Sequence, residues 1–282
     1  MVYEKLIINL AATGMVHRKA DAPHLPVTPE EIAEDCRRCR ALGASIVHLH
    51  ARDANGVPTY DPSVYARIIE RVRTVCPDLI LCVSTSGRTF REFDQRSAVL
   101  DLRGDLKPDM ASLTLGSLNF PNQASVNDPE MIVRLLERMN EREIVPELEV
   151  FDWGMLDYAK YLRRRGLLHE PLYFNLFLGS LGTLAATPQH LASIVGEIPE
   201  NATWAATGIG RSQLAVNSMA IAMGGHVRVG LEDSAYMDPG KSRPASNPDM
   251  VKRLVRIAHA MERDIASPSS ARAIIGLPAS ST

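Results

Sequence analysis

The chain has 282 residues, of which 45% are hydrophobic and 23% charged, a composition typical of a globular protein with a substantial apolar core. Its formal net charge of -2 provides no overall positive field for nucleic acid phosphates or for an anionic membrane surface. The longest apolar runs, such as 172–178, are too short to cross a bilayer, and the first residues lack the pattern of a secretory signal. We therefore expect a soluble, cytoplasmic protein that binds a small molecule, and neither nucleic acid nor a membrane.

Short apolar or β-branched runs alternate with helical patterns from one end of the chain to the other. The predicted strands cover residues 6–12, 45–50, 79–84, 110–115, 144–151, 172–178, 202–207 and 226–231. Helices are predicted to begin where an N-cap residue precedes a proline, at Thr28-Pro29, Asp61-Pro62, Asp128-Pro129, Thr187-Pro188 and Asn247-Pro248. Eight such strand–helix units without a linker-like segment predict an α/β fold, a parallel eight-stranded (β/α)8 TIM barrel that spans residues 1–282 as a single domain.

The alternative fold, an open doubly wound sheet, requires a glycine-rich phosphate fingerprint after the first strand. The sequence there, Ala11-Ala12-Thr13-Gly14-Met15, does not contain one. The tail from about residue 267 to 282 is rich in Ser, Ala and Pro, so we expect a C-terminal surface arm that is available to pack on another subunit. Cys36 and Cys39 form a C-x-x-C motif inside a predicted helix, where packing is a better interpretation than redox or metal chemistry.

The second predicted strand ends in His48-Leu49-His50. Strand periodicity places both imidazoles on the same side, facing the barrel axis at its C-terminal end, where the active site of such a barrel forms. Imidazole nitrogens are ligands that zinc favours. The alternative interpretation is a pair of hydrogen-bonded polar residues with no metal.

The last predicted strand alternates apolar residues at 227, 229 and 231 with Arg228 and Glu232, which places both charged residues on the inward face. Glu232 stands at the C-terminal end of this strand, and only the first strand separates it from the two histidines. Because the first strand ends in small residues, Glu232 can serve as the third metal ligand. Structural ion pairs among Arg228, Glu232 and Asp233 are the alternative.

Polar residues follow three further strands. Ser84, Ser117 and Asn119 can donate hydrogen bonds, and Gly87 gives a carboxylate access to the backbone. A pair of acidic residues, Glu147 and Glu149, can act as a general base, a substrate contact or a partner behind a metal-binding histidine. Loop capping is the alternative for any of these residues. Gly210 and Arg211 precede a predicted helix, whose first N–H groups can bind a phosphate.

Together these residues resemble the beta-keto acid cleavage enzyme family, formerly a domain of unknown function and typified by 3-keto-5-aminohexanoate cleavage enzyme. The most specific segments are His48-Leu49-His50-Ala51-Arg52-Asp53 and Arg228-Val229-Gly230-Leu231-Glu232-Asp233, and the similarity extends over nearly the full length. The resemblance implies a zinc barrel that transfers an acyl group between a beta-keto acid and acetyl-CoA, giving acetoacetate and a new acyl-CoA. It also implies a homo-oligomer, commonly a tetramer.

The resemblance carries roles to particular positions. It implies zinc ligands at His48, His50 and Glu232, and proton abstraction by Asp233 and Arg228 with Ser84. From the residues alone, Glu147 and Glu149 are further catalytic candidates, and Gly210 and Arg211 could bind a phosphate such as those of coenzyme A. The substrate carboxylate and keto group are expected at Ser84, Gly87, Ser117 and Asn119.

One departure from the family concerns the substrate. Members specific for aminohexanoate carry an acidic residue just after the first-strand glycine, whereas this chain has Met15. We therefore expect no amino substrate. Met15 favours an apolar substituent on the keto acid, although His17, Arg18 and Lys19 could instead bind a second carboxylate.

Two other functional classes compete with this assignment. A zinc-dependent amidohydrolase-like hydrolase also uses H-x-H at a barrel strand end, but places it on the first strand with further histidines on the fifth and sixth. The other class is a non-catalytic binding barrel. It would lose stability by burying many inward charged groups that it does not use in catalysis. Acetoacetate release that depends on acetyl-CoA would distinguish the transferase from both.

Overall fold

Eight parallel strands form a closed barrel in the computed structural model, which describes residues 3–278. Around the barrel the strands follow the order β1-β10-β9-β8-β7-β4-β3-β2. Their bounds are β1 (Ile8–Ala11), β2 (Ile46–Leu49), β3 (Ile80–Val83), β4 (Met110–Thr114), β7 (Val145–Val150), β8 (Tyr173–Leu178), β9 (Thr203–Gly208) and β10 (His226–Val229). The predicted TIM-barrel fold is confirmed, and each of the eight predicted strands is present, with ends that differ from the prediction by at most two residues.

The helices cover the outside of the barrel. They are α1 (Pro29–Leu42), α2 (Pro62–Val75), α3 (Phe93–Ser97), α4 (Pro129–Glu141), α5 (Trp153–Arg164), α6 (Pro188–Val195), α7 (Gln213–Ala222), α8 (Asn247–Ala260) and α9 (Pro268–Ile275), with 3-10 turns at Ala98–Asp101, Gly104–Leu106 and Gly210–Ser212. The predicted caps at Thr28, Asp61, Asp128 and Thr187 each accept a hydrogen bond from a first-turn amide.

The predicted cap of α8 is wrong by one residue. Ser246 is the N-cap and accepts from Asp249 N, while Asn247 is the first helical residue and is fully buried. The Asn247 amide donates to Ala12 O over 3.0 Å and to Asp35 Oδ2 over 2.6 Å, and its Oδ1 accepts from Leu231 N over 2.8 Å. Asn247 therefore ties the ends of β1 and β10 to α1 and α8.

A short antiparallel hairpin, β5 (Leu118–Phe120) paired with β6 (Gln123–Ser125), follows β4 and is absent from the prediction. It lies at the C-terminal end of the barrel, because β4 ends there. The two short strands contain three residues each, too few to show an alternating pattern in the sequence.

The segment expected to be a C-terminal arm is described up to residue 278. It begins with α9, whose Ala271 and Ile275 are buried in a cluster with Ile7 and Ile46 from the barrel strands. Residues 279–282 lie outside the described residues.

Cys36 and Cys39 are both buried on α1, and burial raises the pKa of each thiol well above its usual value. A neutral buried thiol behaves as a small apolar side chain. Within residues 3–278, no helix combines the length and the apolar character that a membrane span requires.

Candidate active site

Two imidazoles and a carboxylate meet at the C-terminal mouth of the barrel. His48 lies in β2 and His50 follows that strand, and their Nε2 atoms are 3.2 Å apart. Glu232, in the loop after β10, places Oε1 3.1 Å from His50 Nε2 and Oε2 4.0 Å from His48 Nε2. All three residues offer a ligand atom within 4.8 Å of the other two. The structure thus brings together the three residues predicted to bind a metal.

The end of β1 provides the space that Glu232 occupies. Gly14 has a φ of +64°, and a Cβ built at this residue would lie 2.6 Å from Glu232 Cγ. A Cβ at Gly230 would lie 2.0 Å from Ala11 O, and Glu232 N donates to the same carbonyl over 3.2 Å. Glycine at both positions therefore allows the loop after β10 to lie against β1.

Glu147 lies behind His48 on the buried side. Its Oε2 is 2.8 Å from His48 Nδ1, and its Oε1 accepts from Asn9 Nδ2 over 2.6 Å and from Asn175 Nδ2 over 3.1 Å. Burial acts to raise the pKa of Glu147, but His48 and Arg228 outweigh it and lower that pKa to about 2. An ionised Glu147 fixes the His48 tautomer, with the proton on Nδ1 and the Nε2 lone pair directed at His50 and Glu232.

Cys82 completes a second, deeper group with His48 and Glu147. Its Sγ donates to Glu147 Oε2 over 3.4 Å, and burial raises the pKa of the thiol well above its usual value. A metal at this position would require a thiolate and would displace the His48–Glu147 hydrogen bond. The deeper group is therefore a hydrogen-bonded support for His48.

Arg228, fully buried in the floor of the pocket, pairs with the two acidic residues that follow β10. Its Nε donates to Asp233 Oδ2 over 3.0 Å, and its Nη2 lies 2.8 Å from Glu232 Oε1. Its Nη1 is buried and has no hydrogen-bond partner among the described residues; the Glu149 carboxylate is 3.8 Å away. Burial raises the pKa of Asp233 above its usual value although Arg228 opposes the shift, so Asp233 holds a proton more readily than an exposed aspartate does.

The two histidines differ in their protonation equilibria. Burial lowers the pKa of His50, and the neighbouring Glu232 only partly compensates. Burial and Arg228 also oppose protonation of His48, but Glu232 and Glu147 outweigh them and raise its pKa. A cation bound between the two Nε2 atoms would take the place of a proton there and would meet the negative charge of both carboxylates.

Three phenylalanines line the pocket on the side away from β1, and we call Phe120, Phe151 and Phe177 the aromatic wall. Phe151 stacks on Phe177 with ring centroids 4.3 Å apart, and Phe120 contacts Phe151 edge-on at 6.0 Å. A cation lies at each end of the wall. The Arg228 guanidinium carbon is 4.9 Å from the Phe177 centroid, and that of Arg88 is 3.5 Å from the Phe120 centroid.

Some residues predicted to contact substrate line this pocket and others do not. Met15, Ser84 and Glu149 lie in its lining, and Thr114 Oγ1 donates to Glu149 Oε2 over 2.6 Å. Gly87 lies outside the lining. A Cβ at Gly87 would lie 2.5 Å from Val126 O, so this glycine permits close packing of two loops.

Ser117 and Asn119 also lie outside the lining. Ser117 Oγ accepts from Asn127 N over 2.9 Å, and Asn119 is exposed on β5. The hairpin turns the intervening residue, Leu118, into the pocket.

The predicted phosphate-binding residues lie beside the pocket rather than in it. Gly210 N donates to Asp233 O over 2.7 Å, which connects the turn before α7 to the catalytic candidate. Arg211 is exposed on that turn. The basic residues after Met15 are likewise absent from the lining, and Lys19 pairs with Glu31 on the surface.

Several residues of the site were not predicted from the sequence. Arg88 lies in the loop after β3, where side-chain direction follows no strand period, so the sequence contains no indication of its position. Asn9 is different, because a polar residue inside the apolar run 6–12 indicates a buried hydrogen-bonding partner. That partner is Glu147.

The donor atoms fit a divalent metal. Glu232 Oε2 is buried and has no hydrogen-bond partner among the described residues, and it lies 4.0 Å from His48 Nε2. Two imidazoles and one carboxylate form a common ligand set for catalytic zinc, which keeps a further position for substrate. The carboxylate behind His48 is the usual second partner of such a ligand.

Comparison with known proteins identifies the family of the chain. The model of the beta-keto acid cleavage enzyme family matches residues 5–277. The chain is 39% identical to 3-keto-5-aminohexanoate cleavage enzyme of Fusobacterium nucleatum, over 97% of this chain and 98% of the relative. It is 35% identical to 3-oxoadipate:acetyl-CoA acetyltransferase of Cupriavidus necator, over 96% of this chain and 95% of the relative.

Among solved structures, the apo structure of ObcA superposes with a TM-score of 0.81 at 23% identity, covering 90% of this chain and 66% of the other. That likeness concerns the fold alone. The family model and the two relatives confirm the resemblance on which the sequence prediction rests. The chain therefore belongs to the beta-keto acid cleavage enzyme family and is an enzyme of that class.

Proposed function

We propose that the protein condenses a beta-keto acid with acetyl-CoA to give acetoacetate and a new acyl-CoA, at a site that holds zinc on His48, His50 and Glu232. The observation that carries the proposal is the convergence of two imidazole Nε2 atoms and a carboxylate beside the Arg228–Asp233 pair. The name of the Cupriavidus necator relative supports acetyl-CoA as the second substrate.

The bound ion would supply Lewis-acid polarisation of the substrate keto oxygen. The protein's own contribution is to present the three ligands in a fixed arrangement. Glu147 orients His48, and Arg228 holds Glu232 through a 2.8 Å contact between Nη2 and Oε1. Preorganised ligands of this kind avoid reorganisation during the reaction.

Asp233 is the proposed base. A proton on the carbon between the keto group and the carboxylate is acidic, and the raised pKa of Asp233 makes this carboxylate a better acceptor for it. Arg228, which donates to both Asp233 oxygens, orients the base and stabilises the negative charge that develops on the substrate. The Ser84 hydroxyl, in the pocket lining, is available to donate to the substrate carboxylate.

The proposed transfer balances without another reactant. The deprotonated carbon attacks the acetyl carbonyl, and the thiolate of coenzyme A leaves. The thiolate then attacks the original keto carbon, and the bond between that carbon and the carbon bearing the carboxylate breaks. The carbanion takes back a proton, so that acetoacetate and the new acyl-CoA are formed.

Further parts of the proposal concern the coenzyme and the assembly. Arg211 is exposed beside the pocket, next to Gly210, and we propose this turn as the contact for a phosphate of coenzyme A. By resemblance to the family we also propose one catalytic domain and a homo-oligomer, commonly a tetramer. Light scattering on the purified protein measures the number of subunits directly.

The first test is an assay of metal-quantified protein with a panel of beta-keto acids and acetyl-CoA, following acetoacetate. His48→Ala and Glu232→Ala are expected to lose both zinc and activity. Two exposed residues of the same types provide matched controls, His169→Ala and Glu137→Ala, which should retain both.

Three outcomes of this assay contradict the proposal in different ways. Full activity in protein free of zinc would overturn the metal assignment. Product release without acetyl-CoA would favour a hydrolase, and stoichiometric zinc without turnover of any keto acid would overturn the transferase assignment while leaving the metal site intact.

A further inference from the structure

Arg88 is a cation in the pocket lining that lacks an anionic partner within the described chain. Its side chain is half-buried, no carboxylate of residues 3–278 lies within 4.0 Å of it, and its guanidinium makes no hydrogen bond there. Its contact is the face of Phe120, 3.5 Å from the guanidinium carbon to the ring centroid. Because removing a charge from water is unfavourable without a partner, such a residue is suited to an anionic ligand.

The neighbouring arginines are already engaged. Arg96 donates to Thr85 O and to Asn127 Oδ1, and so holds the loops on either side of Gly87 together. Arg52 donates to the carbonyls of Gly14 and His17. Neither arginine lines the pocket that contains all three metal ligands, whereas Arg88 does.

The aromatic wall has an unfilled donor at each end. At the deep end, Arg228 Nη1 is buried without a hydrogen-bond partner in the described chain, 3.8 Å from Glu149 Oε1 and 3.9 Å from Glu147 Oε2. At the other end, next to Phe120, lies Arg88. Among the described residues, the metal ligands and an arginine Nη1 that makes no hydrogen bond lie at one end, and a guanidinium without an anionic partner lies at the other. With three phenylalanine rings between them, they match a ligand that has an anionic group at each end and methylene groups in between.

The structure of a beta-keto acid determines which of its groups lies at each end of the aromatic wall. Its keto carbon and its own carboxylate are separated by one methylene, so both must lie at the deep end with the metal ligands and Arg228. The group that reaches Arg88 must therefore belong to the substituent on the far side of the keto carbon. We infer that Arg88 binds a second carboxylate on this substituent, and that the enzyme is selective for dicarboxylic beta-keto acids. This inference rests on the function proposed above.

The sequence leaves open whether the basic residues after Met15 bind a second carboxylate. Met15, which lines the pocket, carries no charge and offers nothing to an ammonium group. Of the basic residues that follow it, Arg18 and Lys19 are exposed, and neither they nor His17 contribute to the lining. A second carboxylate is therefore recognised from the loop after β3 rather than from the loop after β1.

The test compares two substrates that differ only at the distal end, a six-carbon dicarboxylic 3-oxo acid and the six-carbon monocarboxylic 3-oxo acid. Wild-type protein loaded with zinc is expected to have the higher kcat/KM for the dicarboxylic acid. Arg88→Met should lower that value by about 10- to 100-fold, as expected for loss of a charge-assisted hydrogen bond, and should leave the monocarboxylic acid within about threefold. Arg91→Met, at an exposed arginine of the same loop, is the matched control and should change neither value.

Equal losses on both substrates in Arg88→Met would overturn the inference, because Arg88 would then serve the carboxylate that every beta-keto acid has. Equal use of both substrates by wild-type protein would overturn it as well. Calorimetric binding of the unreactive six-carbon acids, adipate and hexanoate, tests the same residue without turnover. If adipate binds more tightly than hexanoate only when Arg88 is present while no keto acid reacts, the inferred carboxylate site stands and the proposed transfer fails.

Discussion

Glu147 and Glu149 stand two residues apart on β7 and point into the same barrel, but their depth gives them different partners. Glu147 is fully buried among Asn9, Asn175 and His48, and does not line the pocket. Glu149 lines the pocket, and burial together with the nearby Glu147 raises its pKa. The sequence predicts that both face inward, but it contains no measure of depth along the barrel axis, so it cannot distinguish their roles.

The first prediction concerns Glu147 as a positioning residue. Glu147→Gln removes the negative charge behind His48 while keeping the size of the side chain. We expect zinc affinity to fall by about 10- to 100-fold, since outer partners of metal-binding histidines commonly contribute that much. Titration with a competing chelator measures the affinity, and Glu137→Gln, at an exposed glutamate of α4, is the control. Unchanged affinity with a large loss of kcat would instead indicate that Glu147 takes part in the chemistry directly.

At the residue scale, the sequence predicts best what strand periodicity controls. The inward direction of His48, His50 and Arg228 follows from alternation along β2 and β10. Side chains on loops have no such period. Ser117 and Asn119 therefore differ from the expected lining, and Arg88 could not be found from the sequence.

At the scale of elements, the site depends on how closely the loop after β10 approaches β1. Gly14 has a left-handed φ, so a side chain there would strain the backbone. Because Gly14 also faces Glu232, that side chain would clash with the Glu232 side chain. The sequence shows that small residues end the first strand, and this correctly indicates the space for Glu232. The hydrogen bonds of Asn247 that fasten these elements together are not predictable, because Asn247 resembles an ordinary cap residue.

The second prediction separates these two effects. Gly14→Ala would place a Cβ 2.6 Å from Glu232 Cγ, so we expect zinc affinity to fall by at least about tenfold as Glu232 is displaced. Gly166 has a similar φ of +69° with no atom within 4 Å of a built Cβ. Gly166→Ala should therefore lose only about 1 kcal/mol of unfolding free energy and keep its zinc. Equal zinc affinity in the two variants would show that the contact with Glu232 does not matter.

The third prediction concerns the hydrogen bond between His226, at the start of β10, and Ile7, just before β1. His226 Nδ1 accepts from Ile7 N over 3.0 Å, and burial lowers the pKa of His226 to about 3. The folded protein keeps this ring neutral, whereas the unfolded chain protonates it below about pH 6.5. The stability that His226 contributes is therefore complete above pH 6.5 and is lost as the pH falls toward 3.

His226→Asn retains an acceptor near Ile7 N but has no titrating group. Its unfolding free energy, measured with urea between pH 7 and pH 5, should fall less steeply than that of the wild type, by up to about 1.4 kcal/mol per pH unit below pH 6. His169→Asn, at an exposed histidine, should follow the wild-type dependence. Parallel curves for His226→Asn and the wild type would mean that folding does not lower the pKa of His226.

At the scale of the whole molecule, the candidate site and the contacts of α9 lie at opposite ends of the barrel. The metal ligands, the aromatic wall and Arg88 all lie at the C-terminal ends of the strands. At the opposite end, α9 lies across the strand starts: Ser45 Oγ donates to Ala266 O just before this helix, and Arg272 pairs with Asp109 over 2.7 Å. Function at the C-terminal face and stability at the N-terminal face is the usual division in such barrels.

The composition of the tail does not indicate the helix α9 within it. Ser, Ala and Pro dominate residues 267–282, a composition typical of exposed segments, yet Ala271 and Ile275 are enough to give α9 a buried face. The alternation of eight strands and helices, by contrast, is repeated along the whole chain. A repeated pattern predicts an architecture well, whereas a single short helix depends on a few contacts that the sequence does not reveal.

The last prediction tests whether a change at the N-terminal end of the barrel lowers stability without affecting the candidate site. Ile275 is buried against the floor of the barrel, so Ile275→Ala should lower the unfolding free energy by about 2–4 kcal/mol through the cavity it leaves. The same variant, assayed well below its unfolding temperature, should keep the wild-type kcat, KM and zinc affinity, because α9 does not contact the site. Val75→Ala, at an exposed residue that ends α2, should change the unfolding free energy by no more than about 0.5 kcal/mol. Loss of zinc or activity in folded Ile275→Ala protein would show that the floor of the barrel supports the metal ligands as well as the fold.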